Sequence, residues 1–267
     1  MLFQEIKHIL RVWLANLRTS AVREMEFRAN FISGILRQFF WLGFFLLFIS
    51  VIFNQTNSLG GWSQSEVMVI LALSRIIEGI MNALFIRNIM QLSQMVQQGQ
   101  FDIYLIRPLP SQFLAAFRLV SFSQLGNIIG GIGLLVYSVL LLPTAPNLGQ
   151  ILLFLILAMV GIIIYYSILI TIASLVFKME KFEAMWAING LLSEPLTVPF
   201  EVFPRGVRVP LTYLLPIAFV VYVPAQSLVG RLNWHTVLLA CLLCGTALLV
   251  ASYAWRAGLR RYTSASS

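Results

Sequence analysis

Charged residues are scarce in this sequence. They make up 10% of the 267 residues, whereas soluble domains carry about 25%. Hydrophobic residues account for 59%, and the mean hydropathy is +0.87. This composition excludes an ordinary soluble domain and predicts an all-α integral membrane protein. At roughly 20 residues per spanning helix, the length predicts about six spans.

The residues that mark catalysis and metal binding are also missing. No G-x-x-x-x-G-K-[ST] motif occurs, so the chain does not bind ATP through a P-loop of its own. The two histidines, His8 and His235, have no second carboxylate close in sequence, which argues against a metal site. No Ser/His/Asp arrangement is recognisable. We therefore expect a non-catalytic membrane subunit that binds no cofactor itself.

Acidic residues are fewer than basic ones: the sequence has 18 Lys and Arg and 10 Asp and Glu, which gives a net charge of +8. The basic residues form no stripe on a soluble face, so we expect the lipid bilayer and no nucleic acid as partner. They gather instead at the ends of apolar runs, as the positive-inside tendency predicts. Thirteen of them fall on one side of the predicted spans, which indicates that both termini are cytoplasmic.

The N-terminal region, residues 1–28, predicts an amphipathic helix. Apolar residues including Trp13 and Leu14 recur at helical spacing, while Lys7, Arg11 and Arg18 occupy the other side. A basic face opposite a Trp- and Leu-rich face is typical of a helix that lies in the membrane interface.

The apolar runs and their interruptions define the predicted topology. The inner segment, residues 87–118, connects spans two and three, and the outer segment, residues 203–230, precedes span six. Six of the ten prolines fall between Pro195 and Pro224, so a pair of short re-entrant helices is predicted for the outer segment. The predicted spans cover residues 31–53, 66–86, 119–142, 151–177, 184–202 and 235–255.

Polar residues inside span two share one side of the helix. Arg75, Glu78 and Asn82 fall within about 100° of arc. Ionisable residues at membrane depth usually face a bundle interior or a wet cavity, which favours a place on a transport pathway or at a subunit interface. Arg75 and Glu78 are also three residues apart, so a self-contained structural pair explains them equally well.

The inner segment is the longest polar interval between two apolar runs. It is rich in glutamine and ends in the rigid unit Arg107-Pro108-Leu109-Pro110. A simple return to the bilayer needs only a few residues, so we interpret this segment as a cytoplasmic helix that a soluble partner contacts. Its residues include Gln91, Gln94, Gln97, Gln98, Gly99, Phe101, Asp102, Arg107, Pro108 and Pro110.

Several stretches together carry a family resemblance. They are Phe27–Phe31, Gly99–Pro110, Leu215–Gly230 and Gly258–Ala265. With these stretches, nearly the whole chain resembles the permease subunits of ABC-2-type ATP-binding-cassette exporters, in particular a bacterial branch with six spans. The Arg-Pro-Leu-Pro unit and the run that begins at Pro216 are the most specific parts of this resemblance.

The resemblance implies how the protein works. Two permeases, either two copies or two related chains, would pair in the bacterial inner membrane above two separate ATPase subunits that hold ATP and Mg. A coupling helix at roughly Ile89–Gln98 would transmit ATPase closure to span three, with Phe101, Asp102, Arg107 and Pro108 as a brace at its exit. The ATPase-coupling residues would be those named above for the inner segment. The largely apolar path favours a hydrophobic or amphipathic cargo. The implied outer gate contains Pro195, Pro199, Pro204, Pro216 and Pro224.

Two other classes of function stay open at this point. One is a self-contained channel or secondary transporter, which inverted repeats or intramembrane ion ligands would favour. No convincing repeat is present, and Arg75–Glu78 is the one ionic site inside the predicted spans. The other is a membrane scaffold or assembly factor, which would form no complex with an ATPase.

Overall fold

The computed structural model of the protein describes residues 2–107, 109–179 and 185–262. Within these ranges the regular secondary structure is entirely helical, apart from one isolated β-bridge between Leu59 and Trp62. Five of these helices are long and apolar enough to cross a membrane, or six if a bent pair counts as one span. The predicted class, an all-α membrane protein, is confirmed.

The helices follow one another with short connections. The first two are α1 (Leu2–Glu26) and α2 (Arg28–Phe53), which meet at Phe27. The next, α3 (Gln64–Met81), continues through a π-helical turn into α4 (Arg87–Gln97). The remaining α-helices are α5 (Asp102–Leu105), α6 (Ser111–Phe117), α7 (Leu125–Leu140), α8 (Leu148–Ala173), α9 (Met185–Ser193), α10 (Arg205–Tyr213), α11 (Tyr222–Leu228) and α12 (Trp234–Leu259).

The centre of the bundle is α3. In the most apolar part of the continuous Gln64–Gln97 helix, about 72% of the residues are buried, against 6% in that of α2, which lies at the periphery. The helix packs closely on α7 because Gly131 has no side chain. A Cβ atom there would lie 3.0 Å from the Ala72 carbonyl oxygen, so the missing side chain allows the two helices to approach closely.

The C-terminal part of α1 is tied to the connection between α6 and α7. The Val120 N–H donates to Ser20 Oγ at 3.2 Å, and Ser20 is buried. The Ser121 hydroxyl donates to Glu24 at 2.8 Å. These bonds hold the predicted interfacial helix against the rest of the bundle at one end.

The predicted fifth span, residues 184–202, is not one continuous helix. Within the described residues it consists of α9 followed by two 3₁₀ turns, Glu194–Thr197 and Phe200–Val202. Pro195 and Pro199 explain this, because proline lacks the N–H that an α-helix needs. Nine residues at about 1.5 Å each give α9 roughly half the length required to cross the bilayer.

The outer segment is bent where the sequence predicts a break. The Arg205–Tyr213 helix and the following Ile217–Leu228 stretch meet at an angle of 69°, and Pro216 lies in the bend. This shape suits either a broken span or a re-entrant loop. The placement of the segment on the outer side stays a prediction.

Candidate functional site: the inner segment

The predicted coupling helix at Ile89–Gln98 is not a separate helix. Its residues form the end of a rod that runs from Gln64 to Gln97, so span two extends into the inner segment without a break. Gly99 ends the rod with a φ of 67°, a conformation that favours glycine. The Phe101 N–H then donates to the Met95 carbonyl at 3.2 Å, which folds the chain back.

The glutamines lie along the less buried side of α4. Gln94 and Gln98 are exposed, and Gln97 is exposed with its amide donating to Ser93 at 3.3 Å. Gln91 differs, because its side-chain oxygen accepts a 2.5 Å bond from Arg118. The opposite side of α4 is apolar and packs into the bundle through Ile89, Leu92 and Met95.

Phe101 is the centre of an aromatic cluster. Its side chain is fully buried, and its ring contacts those of Phe177, Tyr262 and Trp255 at centroid distances of 5.2, 5.7 and 6.3 Å. Phe177 ends the 3₁₀ turn after α8, and Trp255 lies in α12. The aromatic cluster therefore joins the inner segment to spans four and six.

Asp102 adds a polar contact to the aromatic cluster. Its Oδ1 accepts a 2.8 Å hydrogen bond from the Tyr262 hydroxyl. Burial and the neighbouring Asp102 carboxylate raise the pKa of Tyr262 to about 12. The tyrosine is therefore a neutral donor at physiological pH.

A second set of contacts joins α4 to the start of span three. Asn88 is buried, and its Nδ2 lies 2.9 Å from the Ala116 carbonyl and 2.8 Å from that of Leu119. Its Oδ1 accepts the Leu119 N–H at 3.0 Å. The Arg118 guanidinium, besides its bond to Gln91, donates to the Tyr104 hydroxyl at 3.0 Å. These bonds fix the direction in which the chain enters α7.

The turn around α5 carries apolar side chains that are exposed on the surface of the protein. Ile103, Leu105 and Ile106 are 52, 45 and 83% exposed, and we call these three residues the tip patch. Arg107, also exposed, lies with its guanidinium 5.4 Å from the Tyr104 ring centroid. In the predicted topology the tip patch lies on the cytoplasmic side of the membrane.

The residues of the predicted brace lie in different surroundings. Phe101 and Asp102 contact the ends of spans four and six and the segment that follows span six. Pro110 is exposed and directly precedes α6. Pro108 lies outside the described residues.

The polar residues of span two form a local pair. Arg75 is 8% exposed, and its guanidinium lies 2.9 Å from the Glu78 carboxylate and 4.9 Å from the Phe45 ring centroid. Asn82 donates to the Glu78 backbone carbonyl at 2.9 Å, so its amide is used within its own helix. Among the atoms of the described chain, Arg75 Nε is buried without a hydrogen-bond partner.

The outer prolines surround a polar contact between distant parts of the chain. Pro195, Pro199, Pro216 and Pro224 are buried, whereas Pro204 is exposed. Next to them, the Glu201 carboxylate accepts hydrogen bonds from the Trp62 indole at 3.1 Å and from the Tyr222 hydroxyl. The outer loop before span two is thus joined to the outer segment.

Sequence reasoning missed most of the partners in these networks. Asn88 had a usable signal, since it is a polar residue among the apolar positions of α4. Tyr262 belongs to the C-terminal stretch that carried the family resemblance, but nothing in its spacing indicates contact with a residue 160 positions earlier. Glu201, a carboxylate in the proline-rich outer region, was not singled out.

These features define a helical membrane protein with an extended second span and an exposed inner turn. A profile described as "ABC-2 family transporter protein" matches residues 39–266. The chain therefore belongs to the ABC-2 family of transporter membrane proteins. A sequence comparison with curated proteins finds no match. Groups of three or more His, Cys, Asp or Glu that could hold a metal ion are absent from the described residues.

Proposed function

We propose that this protein is the permease subunit of an exporter that is driven by separate ATPase subunits. It moves a hydrophobic or amphipathic substrate out of the cytoplasm by alternating access. Family membership supports the permease role, and the largely apolar spans support the type of substrate. ATP and Mg belong to the ATPase partner, and this chain contributes no catalytic residue.

The tip patch is the observation that carries the proposal. Three large apolar side chains stand exposed on a turn that is otherwise anchored by buried aromatic and polar contacts. An exposed apolar patch rimmed by polar residues marks a protein or membrane interaction site, and the predicted cytoplasmic position of the turn favours a protein. In our proposal the tip patch and Arg107 contact the ATPase, while the exposed glutamines of α4 lie beside the contact.

The contacts that anchor the turn would transmit the movement of the ATPase to the spanning helices. Force applied at the tip patch reaches spans four and six through the aromatic cluster, and span three through Asn88 and Arg118. Because aromatic rings in a packed cluster resist compression, the turn should move with these helices as one body. Arg75 and Glu78, in the central helix, then lie where helix movement changes their surroundings, which supports a role in the pathway.

A second permease should cover the exposed side of the bundle. The α2 helix is almost unburied within one chain, and it carries aromatic side chains such as Phe40 and Trp41 on its surface. Lipid covers part of this surface in our proposal, and a second copy or a related permease covers the rest. The assembly would lie in a bacterial inner membrane with both termini in the cytoplasm.

The test is to purify the chain with its co-expressed ATPase and to measure binding, ATP hydrolysis and export of an amphipathic dye from vesicles. Ile106→Ser should weaken ATPase binding by about tenfold, the loss of one central interface residue. Leu214→Ser, the same change at a residue 78% exposed in the bend of the outer segment, should leave binding unchanged. If the unmodified chain binds no ATPase, the proposed function is wrong.

A further inference from the structure

A cavity of about 320 Å³ lies where α1 turns into α2. Arg23, Phe27 and Asn30 line it from the turn, and Arg87 lines it from the start of α4. The predicted topology places this turn at the cytoplasmic surface of the membrane, at the depth of the lipid headgroups. We call it the headgroup cavity.

The charges around the headgroup cavity leave one positive charge uncompensated. Glu24 accepts from the Ser121 hydroxyl at 2.8 Å and from the Ser123 N–H at 3.0 Å, and it lies 3.7 Å from the Arg87 guanidinium. Arg23 has no carboxylate within ion-pair distance in the described part of the chain. Two arginines and one glutamate give a net charge of +1, which suits a ligand with a single negative charge.

The surface next to the cavity is apolar. Phe27 is 60% exposed at its edge, and Ile32 and Leu36 are 55 and 62% exposed further along α2. A ligand whose anionic group binds in the cavity could therefore pack a hydrocarbon chain along α2. A small soluble anion would leave that surface unused.

We propose that the headgroup cavity binds the phosphate of an anionic phospholipid from the cytoplasmic leaflet, with its acyl chains along α2. The phosphodiester supplies the single negative charge, the Arg23 guanidinium supplies paired donors, and Asn30 supplies a further polar group. Because Glu24 and Arg87 connect this cavity to the start of span three and to α4, the bound lipid would fix α1 against the inner segment.

The experiment uses the full-length chain, delipidated in detergent and titrated with phosphatidylglycerol or phosphatidylcholine, with binding followed by native mass spectrometry. The unmodified chain should prefer phosphatidylglycerol, and Arg23→Gln should weaken its binding by about fivefold, the effect of one basic side chain near an anionic surface. Arg23→Lys should retain most of the binding, which shows that loss of charge rather than misfolding causes the change.

Arg18→Gln is the matched control, because Arg18 is an exposed arginine of the same helix outside the cavity. An equal loss in this control would mean that general surface charge attracts the lipid, and the proposed site would be wrong. Equal binding of phosphatidylcholine would also overturn the proposal. Inorganic phosphate is added in a separate titration; if it displaces the lipid, the cavity is a site for free phosphate instead.

Discussion

The Tyr262 hydroxyl donates a 2.8 Å hydrogen bond to Asp102, which joins the C-terminal end of the last helix to the turn that bears the tip patch. The two residues are 160 positions apart in the sequence. Neither lies within a spanning helix, so their contact connects the segment after span six with the inner segment. In the predicted topology both lie on the cytoplasmic side. In the proposed mechanism, this bond lets span six follow the movement of the inner segment.

Tyr262→Phe should therefore reduce the export achieved for each ATP hydrolysed, while expression and ATPase binding stay unchanged. The ring still packs on Phe101, so the free energy of unfolding should fall by at most about 1 kcal/mol. Tyr253→Phe removes a hydroxyl from a tyrosine that is 77% exposed in the same helix, and it should have no effect. Equal coupling in the two variants would contradict a role for the bond.

The same bond gives an expected pH dependence. The folded protein holds the pKa of Tyr262 near 12, above its usual value of about 10, so folding favours the protonated hydroxyl. The contribution of the bond to stability should be complete below about pH 10 and lost only as the pH rises through about 12. Between pH 6 and 9, the export achieved for each ATP hydrolysed should vary with pH in the same way in the unmodified protein and in Tyr262→Phe.

Asn88 holds α4 against the entry to span three. Asn88→Ala removes its amide and leaves the Leu119 N–H without the bond that Asn88 Oδ1 provides. A buried group that loses its partner costs about 1–3 kcal/mol, and a lower midpoint of thermal unfolding in detergent should report it. Asn57→Ala, at an exposed position in the outer loop, is the control and should leave the midpoint unchanged. A similar midpoint in both variants would show that the bonds of Asn88 add nothing to stability.

Gly161 allows the outer segment to pack directly on span four. A Cβ atom at this position would lie 2.5 Å from the Val220 carbonyl oxygen, a backbone atom that cannot turn aside. Gly161→Ala should therefore displace the segment around Pro216 and destabilise the protein by about 1–3 kcal/mol. Limited proteolysis of the outer segment and thermal unfolding would both detect this.

Gly133 provides the comparison for that variant. It also lies in a spanning helix, but nothing is found within 4 Å of the Cβ position. Gly133→Ala should be neutral or slightly stabilising, because alanine favours a helix more than glycine does. If Gly161→Ala behaves in the same way, the outer segment is free to move away from span four, and the close packing is not required.

Composition and periodicity were sufficient to predict the helical membrane class, because the bilayer allows few alternatives for an apolar chain of this length. They left two explanations open for Arg75 and Glu78, and the ion pair that residues three apart can form on one helix is present. The helix that the resemblance implies at Ile89–Gln98 is a continuation of span two, because Ile89, Leu92 and Met95 extend its apolar side and Gly99 ends the rod. Contacts such as Tyr262–Asp102 depend on how the helices pack, which no local pattern contains.

The Arg75–Glu78 pair permits a test that separates a structural role from a role in the pathway. Arg75 is nearly buried, so Glu78→Ala leaves its charge without a partner and should destabilise the protein by about 3–5 kcal/mol. Replacing both residues, Arg75→Leu with Glu78→Leu, removes the charges together and should restore much of the stability. Export by the double variant then decides the role: normal export shows a structural pair, whereas stable protein without export shows that the charges act on the substrate or on the pathway.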